Sequence, residues 1–454
     1  MDRFYLENVA KYHSLLGRLD PTPRPRVSTG KAGPNMVVGA RIRPLPEDED
    51  FPSAIFPRKI EKNVVDIHDL YNHPKGIPIL KSFDYEVDRL YGQDSTTKDI
   101  YQDLVTDLVP FTWNGGIGTL FAYGQTGSGK TYTVSRLEEF VAEALMEDNP
   151  AGEKEVYMTI IDLAGNAAFD LLAERKPISL LEDSLGTTQL VGAEEHLIHD
   201  KDEMINLIHS ATSFRQTAAT FKNDASSRSH AICRIRIRDP ATNSDGLLYL
   251  IDLAGSEGAR DIASHGADRM RETREINISL SVLKDCIRIR AQADTAAATS
   301  PDKTVPYVPF RQSALTRVLK HVFDPASTRP CKTVVIACVN PSLADVGPTK
   351  NTFRFAEMLR VLVPPVGKTE YDPAVPMTWD NAQVREWIEK NSGSTAILPH
   401  VLAPRETGAQ LLALSDTEFE YRCQKCPGVK LAQARAFRLK LWELHVDAQH
   451  GKKD

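Results

Sequence analysis

The sequence predicts an α/β protein, a central mostly parallel sheet flanked by helices, followed by a small all-α bundle. Three observations predict it. Apolar runs of strand length alternate with helix-periodic stretches between residues 36 and 364. One run, Leu120 to Tyr123, leads into Gly124-Gln125-Thr126-Gly127-Ser128-Gly129-Lys130-Thr131. This segment satisfies G-x-x-x-x-G-K-[ST] without a mismatch, and a helical pattern follows it. Beyond a Pro-containing stretch the strands stop, and 377–448 reads as helical throughout. The expected organisation is a helix and Pro-rich leader (1–35), an α/β domain (36–364), a linker (365–376) and a helical bundle (377–448).

Residues 2–19 carry helix-spaced Phe4, Tyr5, Val9, Tyr12, Leu15 and Leu16, and Pro21, Pro23 and Pro25 stop the pattern. Met36 to Pro44 predicts the first central strand, ended by proline. Residues 56–85 predict paired strands about a turn at Asn72-His73-Pro74-Lys75-Gly76. Residues 95–110 predict a helix, 134–147 another, and Val156 to Leu163 a strand. Leu180 to Val191 suggests short strands, and 201–216 a helix. Ala231 to Arg238 alternates Ile232, Ile235 and Ile237 with arginines, which fits a half-exposed strand. Leu247 to Leu253 is an apolar strand, followed by helix at 269–292. Helix at 311–323, strand at 333–339 and helix at 351–363 complete the domain. No segment sustains three or four heptads, so no coiled coil is expected.

Hydrophobic residues make up 41% of the chain and charged residues 26%, which is ordinary globular composition. The net charge is −6, which argues against wholesale nucleic-acid binding but allows a local basic face. Six scattered cysteines form no disulfide framework, and a reducing compartment is expected. Cys423-x-x-Cys426 has no partner pair at zinc spacing and reads as two plain thiols. There is no signal peptide, and no run reaches the roughly 18 apolar residues of a membrane span. A cytosolic or cytoskeletal location is expected.

Three loops carry chemistry. In the first, Gly127 and Gly129 let backbone N–H groups approach phosphate oxygens, and the following helix N-terminus adds positive potential. Lys130 is placed for the β- and γ-phosphates, and the Thr131 hydroxyl for Mg²⁺. The second loop is Asn223-Asp224-Ala225-Ser226-Ser227-Arg228-Ser229-His230, whose hydroxyls suit Mg²⁺ ligation and the positioning of a water. The third is Leu250-Ile251-Asp252-Leu253-Ala254-Gly255-Ser256-Glu257. Here Asp252 is placed to hold Mg²⁺ through its water shell, the Gly255 N–H to sense the γ-phosphate, and Glu257 to pair with Arg228.

These loops, with Arg41-Ile42-Arg43-Pro44, Phe83-Asp84 and Thr352-Phe353-Arg354-Phe355-Ala356, resemble the kinesin motor family over about 36–364. The resemblance implies an ATP-hydrolysing motor of the P-loop NTPase class that binds tubulin and uses ATP and Mg²⁺. It implies that Arg41, Pro44 and Tyr132 flank the adenine. Gly124, Gln125, Thr126, Gly127, Ser128, Gly129, Lys130 and Thr131 would cradle the phosphates. Thr131, Ser227 and Asp252 would serve the metal, with Ser226 relaying a proton from the attacking water. Arg228 and Glu257 would close the site. Phosphoryl transfer of this kind works mainly by positioning and electrostatics.

Phe169-Asp170-Leu171-Leu172, Leu181-Glu182-Asp183 and Lys284-Asp285-Cys286-Ile287-Arg288 look like the internal-motor, microtubule-depolymerising branch. Departures fall on stretches expected to face the track. Asp162-Leu163-Ala164-Gly165-Asn166 replaces Glu-Ile-Tyr-Asn-Glu, Ile278 follows Asn277 in place of lysine, and Ala314 replaces the lysine of Ser-Lys-Leu-Thr. Of the depolymerases' Lys-Val-Asp fingertip, only Val65-Asp66 stands near the expected place. A basic face is nevertheless expected from Lys284 and Arg288 on one helix and Arg311, Arg317 and Lys320 on the next. A degenerate kinesin acting as a nucleotide-gated microtubule-binding scaffold is the alternative. An unrelated P-loop kinase or GTPase is disfavoured by Asn223 to His230.

The C-terminal stretch carries Trp379, Val384, Trp387 and Ile388 at helical spacing, then Leu411, Leu412 and Leu414, then Ala434, Phe437, Leu441 and Leu444. It looks like a sterile alpha motif (SAM) domain, which implies a protein partner or self-association. It shows no basic stripe, so no nucleic acid is expected there.

Overall fold

The computed structural model describes residues 2–19, 35–74, 76–147, 154–182, 188–221, 228–242, 244–256, 267–299, 307–323, 329–360, 371–393, 395–412 and 414–450. The leader forms two short helices, α1 (Asp2–Glu7) and α2 (Val9–Leu16). They are docked. Tyr5 and Tyr12 are buried; the Tyr12 hydroxyl donates to the carbonyls of Ser53 and His68, and that of Tyr5 to Asp69.

Fourteen strands follow in two sheets among the described residues. β1 (Met36–Ile42) belongs to the central sheet, whereas β2 (Ile55–Pro57), β3 (Val64–Asn72) and β4 (Pro78–Glu86) form a separate three-stranded sheet. The Val65-Asp66 pair does not sit at the tip of this excursion. Val65 is fully buried inside β3, and Asp66 is held by Arg58 at 2.8 Å. β5 (Arg89–Tyr91) returns to the central sheet. The helix expected at 95–110 is broken into α3 (Thr97–Ile100), a π turn (Tyr101–Val105) and α4 (Leu108–Trp113). Pro110, without an N–H, interrupts the regular i to i−4 pattern there. β6 (Ile117–Tyr123) is buried along its whole length and feeds α5 (Lys130–Glu147).

The chain then forms β7 (Glu155–Ala164), β8 (Ala167–Asp170), β9 (Lys176–Glu182), β10 (Thr188–Val191) and β11 (His196–Ile198), followed by α6 (Lys201–Phe221). β12 (His230–Asp239) and β13 (Ser244–Asp252) are an antiparallel hairpin. α7 (Ala267–Thr299) comes next, then α8 (Ala314–Val318) and α9 (Lys320–Phe323), β14 (Cys331–Val339) and α10 (Val346–Leu359). α10 starts earlier than the expected 351 because Pro348 falls in its first turn, where a missing N–H does no harm.

The central sheet runs β10-β9-β8-β7-β12-β13-β6-β14-β1-β5. It is mixed, not mostly parallel. β13, β6, β14, β1 and β5 pair in parallel, while β12, β7, β8, β9 and β10 pair antiparallel. The cause is local: the turn joining β12 to β13 is too short for a parallel crossover. Helices on both faces bury two apolar clusters.

The C-terminal stretch forms α11 (Asn381–Asn391), α12 (Pro399–Leu402), α13 (Gly408–Leu412), α14 (Asp416–Gln424) and α15 (Leu431–His450). Asp380 caps α11, in a reciprocal capping box with Gln383. Trp379, Ile388, Leu411, Phe419, Phe437 and Leu441 make its own core. Cys423 and Cys426 are free thiols within that core, and no metal-binding cluster occurs among the described residues. The linker residues 361–370 lie outside the described residues.

Candidate nucleotide site

The parallel half of the sheet places the site. Ligands in open α/β sheets bind beyond the carboxyl ends of the strands. β6 ends at the phosphate loop, β13 at Asp252 and β1 at Arg41. One row of strand partners crosses this edge: Ala122 pairs with Asp252, Asp252 with Ala231, and Ala231 with Asp162. The antiparallel turn of β12 therefore brings His230 and the end of the serine-rich loop to the same edge as the phosphate loop.

Gly124, Gly127 and Gly129 have φ of 149°, 77° and 91°, a backbone that side chains rarely adopt. At Gly124 a Cβ would also strike the Cys338 carbonyl. The Lys130 amine is buried and donates to the Gln125 carbonyl at 2.9 Å, inside its own loop. The Ser128 hydroxyl donates to the same carbonyl at 2.7 Å. Ser256 N–H donates to the Gly124 carbonyl at 3.1 Å, which ties the third loop to the first.

Thr131 Oγ1 donates to Asp252 Oδ2 at 2.7 Å. The other oxygen, Asp252 Oδ1, is buried with no hydrogen-bond partner among the described residues. A hydroxyl beside a buried carboxylate with an open lone pair is a hard-oxygen donor set that fits Mg²⁺ and its waters. Thr131 and Asp252 would hold the ion, which when bound neutralises charge on the phosphates.

Sequence reading missed Arg215. It lies on α6, is 7% exposed, and donates from Nη1 to Asp252 Oδ2 at 2.8 Å and from Nη2 to the Ser229 carbonyl at 2.6 Å. Its Nε is 3.7 Å from Asp162 Oδ1. A signal existed: Met204, Ile208, Ala211 and Arg215 are all buried, at helical spacing. An arginine on the apolar stripe of a helix needs a buried acid. Asp162 is itself 2% exposed and paired with Arg175 at 2.9 Å. This departure from the family pattern therefore supports the nucleotide site and does not face the track.

His230 is buried and its tautomer is determined by its partners. Ala254 N–H donates to Nδ1 at 3.0 Å, so Nε2 carries the proton and meets Ser279 Oγ at 2.8 Å. Ser279 passes its own proton to the Ile276 carbonyl at 2.7 Å. The second loop, the third loop and α7 are thus joined through one imidazole. Burial, and then the charge of Arg215, push its pKa down to about 3. The unfolded chain then binds a proton below about pH 6.5 that the folded chain refuses, so this histidine destabilises the fold as pH falls from 6.5 toward 3. Glu138, on the buried face of α5, acts oppositely: burial, then Asp252, raise it to about 8. We expect His230→Asn to remove a slope of about 1.4 kcal/mol per pH unit below pH 6.5. Urea denaturation of both proteins between pH 5 and 7.5 measures it; parallel curves would refute it.

A kinesin motor domain pattern matches residues 41–362. This chain belongs to the kinesin motor-domain family. It is 34% identical over 330 residues to diatom spindle kinesin-1 of Cylindrotheca fusiformis, covering 72% of this chain and 50% of that protein. It is 35% identical over 285 residues to the human kinesin-like protein KIF24, covering 61% of this chain and 20% of that protein. It is 31% identical over 343 residues to kinesin-like protein KIN-13B of Arabidopsis thaliana, covering 72% and 47%. The chain thus spans half or less of the curated relatives it matches. Among solved structures it is similar to the C-terminal motor and motor homology domain of Kar3Vik1 fused to a synthetic coiled coil. That match has a TM-score of 0.58 and 26% identity, and covers 72% of this chain and 85% of that one. The family consists of microtubule-stimulated ATPases.

The structure brings together part of the expected kinesin site. Arg41 is buried, donates to the Thr97 and Thr133 hydroxyls at 2.9 and 2.8 Å, and lies 5.3 Å from the ring of Tyr132. Tyr132 and Pro44 are exposed beside it. Arg43 also reaches the phosphate loop, donating to the Gly127 carbonyl at 2.5 Å. Arg228 is partly buried, and Gly255 is buried next to Ala254. Ser226, Ser227 and Glu257 lie outside the described residues.

The basic face is less free than its sequence suggests. Arg311 and Lys320 both pair with Glu182 of β9, at 2.9 and 2.5 Å. Hydrogen bonds first from Arg311 and then from Lys320 hold the Glu182 carboxyl down at about 2. Arg311 sits in a single turn before α8, and Arg317 is partly buried in α8, so these residues do not share one helix. Lys284 and Arg288 do share α7, where exposed Arg288 lies 3.8 Å from Asp285.

Proposed function

We propose that this kinesin chain binds Mg²⁺·ATP at the Gly124–Thr131 loop, hydrolyses it, and couples hydrolysis to binding of microtubules. The observation that carries the proposal is the Thr131–Asp252–Arg215 constellation at the end of β13, with one buried Asp252 oxygen open to a metal's water shell. Ser226, Ser227, Arg228 and Glu257 are assigned to water activation and closure. Lys284, Arg288, Arg311, Arg317 and Lys320 are assigned to the acidic tubulin surface. Depolymerisation at microtubule ends, and not processive walking, is the favoured activity, on the likeness of Leu181-Glu182-Asp183 and Lys284 to Arg288 to the internal-motor branch. The C-terminal bundle is assigned as a SAM domain that takes a protein partner or a second copy, and the protein as cytoskeletal. No described helix is long and apolar enough to cross a membrane.

ATPase rates with no tubulin, free tubulin and microtubules test this. Stimulation by tubulin is expected, and flat rates across the three would overturn the motor reading. A nucleotide-gated scaffold is favoured by one feature, the apolar Ile278, which is 48% exposed where the family carries lysine. Microtubule binding without stimulated turnover would select it.

The Glu182 pairs make a separate prediction. Glu182→Gln removes one negative charge from beside Arg311 and Lys320, so microtubule co-sedimentation should tighten about two- to fivefold at low salt and less at high salt. An unchanged or weaker affinity would remove Arg311 and Lys320 from the track face.

A further inference from the structure

A cleft of about 560 Å³ lies at the opposite edge of the sheet from the phosphate loop. One wall is built from residues at the amino ends of the parallel strands: Gly115 before β6, Asp245 in β13 and Arg329 before β14. The other wall belongs to the C-terminal bundle, with Arg405 from the loop after α12, and Arg422 and Lys425 at the end of α14.

The charges in this cleft do not balance. Its three carboxylates are already engaged. Glu406 and Glu418 both pair with Arg422 at 2.6 Å, and Asp245 pairs with Arg236 at 3.4 Å. Arg329 is held through backbone oxygens, donating to the Gly115 carbonyl at 3.1 Å and to the Asp245 carbonyl, and these carry no countercharge. The Arg405 guanidinium packs against Gly115, whose φ of 75° and missing Cβ make room for it. Among the described residues that guanidinium has no ion pair or hydrogen bond. Burial lowers the pKa of both arginines and the charge of Arg329 adds to the effect on Arg405; Asp245 opposes it at Arg329, and Glu406 and Asp239 at Arg405, without reversing it. Lys425 stands exposed at the mouth, 4.6 Å from the Tyr421 ring.

Holding two partly buried like charges together, with no carboxylate paired to either guanidinium among the described residues, is costly, and a bound anion reduces that cost. Guanidinium forks match phosphate oxygens in pairs, which a point charge cannot do. The cavity is the size of a small-molecule site. We infer that this cleft binds a multivalent phosphate-bearing anion, held between Arg329 of the motor and Arg405 and Lys425 of the bundle. The ligand would clamp the bundle onto the motor. This goes beyond the motor reading, because the site is remote from the phosphate loop and uses residues from outside the kinesin match, which ends at 362.

The test uses the full chain saturated with Mg²⁺·ADP, so that the phosphate loop is filled. Pyrophosphate is titrated in by calorimetry, and the melting temperature is followed in parallel. Vesicles of neutral lipid with and without a phosphoinositide form the second arm. Saturable binding that weakens with salt is expected, and Arg405→Gln should weaken it about tenfold or more. Lys425→Gln, an exposed change, should weaken it less, and Lys284→Ala should leave it unchanged. Binding to phosphoinositide vesicles alone would support the site and assign it to a lipid headgroup. Equal affinity in the wild type and Arg405→Gln, or no binding in either arm, would overturn the inference. ADP binding by all variants, checked separately, keeps these outcomes independent of the motor reading.

Discussion

Lys130→Ala is expected to abolish useful ATP binding while leaving the fold intact. The Lys130 amine is buried in the phosphate loop, where its hydrogen bond goes to the Gln125 carbonyl. Phosphate oxygens offer that amine a full negative charge in a site with little water. Truncating one partner of a buried, hydrogen-bonded charge pair costs about 2–5 kcal/mol, or roughly 30-fold to several thousandfold in Kd. Stability should change little, because the glycine backbone and the Ser128 bond hold the loop without the amine. Titration with a fluorescent ATP analogue, beside a urea melt, reads both quantities. Wild-type affinity in Lys130→Ala would reduce the loop to a glycine-rich turn with no ligand.

Arg215→Ala should be the most damaging change to stability. Asp252 is 5% exposed and Asp162 2%, and Arg215 is the cation that lies between them. Removing it takes the cation from buried Asp252 and one donor from the Ser229 carbonyl. Breaking a buried pair from one side costs about 3–5 kcal/mol. Hydrolysis should fall with it even at temperatures where the variant is folded, because Asp252 loses its fixed position beside Thr131. Arg215→Lys should rescue only part of either effect. A single ammonium cannot meet Asp252 and the Ser229 carbonyl with the geometry of a guanidinium fork. Chemical denaturation and ATPase rates on the same preparations decide it; an alanine variant of wild-type stability would deny Arg215 this role.

Much of the fold was legible because its signals are local. Apolar runs such as Ile117 to Tyr123 are strands buried on both faces, and their length and flanking loops say so without any partner. The mixed character of the sheet was misread at β12 and β13. Strand direction is a property of the connection, and the short turn between them carried more information than either strand. Residues 311–323 looked like one helix, but the chain enters through a single turn at Phe310–Gln312 and breaks again at Leu319. Extended Ser313 caps the start of α8 by accepting from the Thr316 N–H, and hydrophobic periodicity does not record such a cap.

The same division runs through the candidate site. The sequence by itself determined the phosphate loop, since Gly124 to Thr131 is contiguous and its glycines, lysine and threonine act within one turn of backbone. It likewise determined Asp252 at a strand end and the independent core of the bundle about Trp379, Phe419 and Phe437. Only the tertiary structure decided the partners of these groups. Arg215 reaches Asp252 across 37 residues, and Glu182 reaches Arg311 across 129. Arg329 and Arg405 line one cleft between the sheet and the bundle, which has its own core. Charge pairing depends on distance in space and on burial, and a linear sequence carries neither until the sheet register and helix docking fix them.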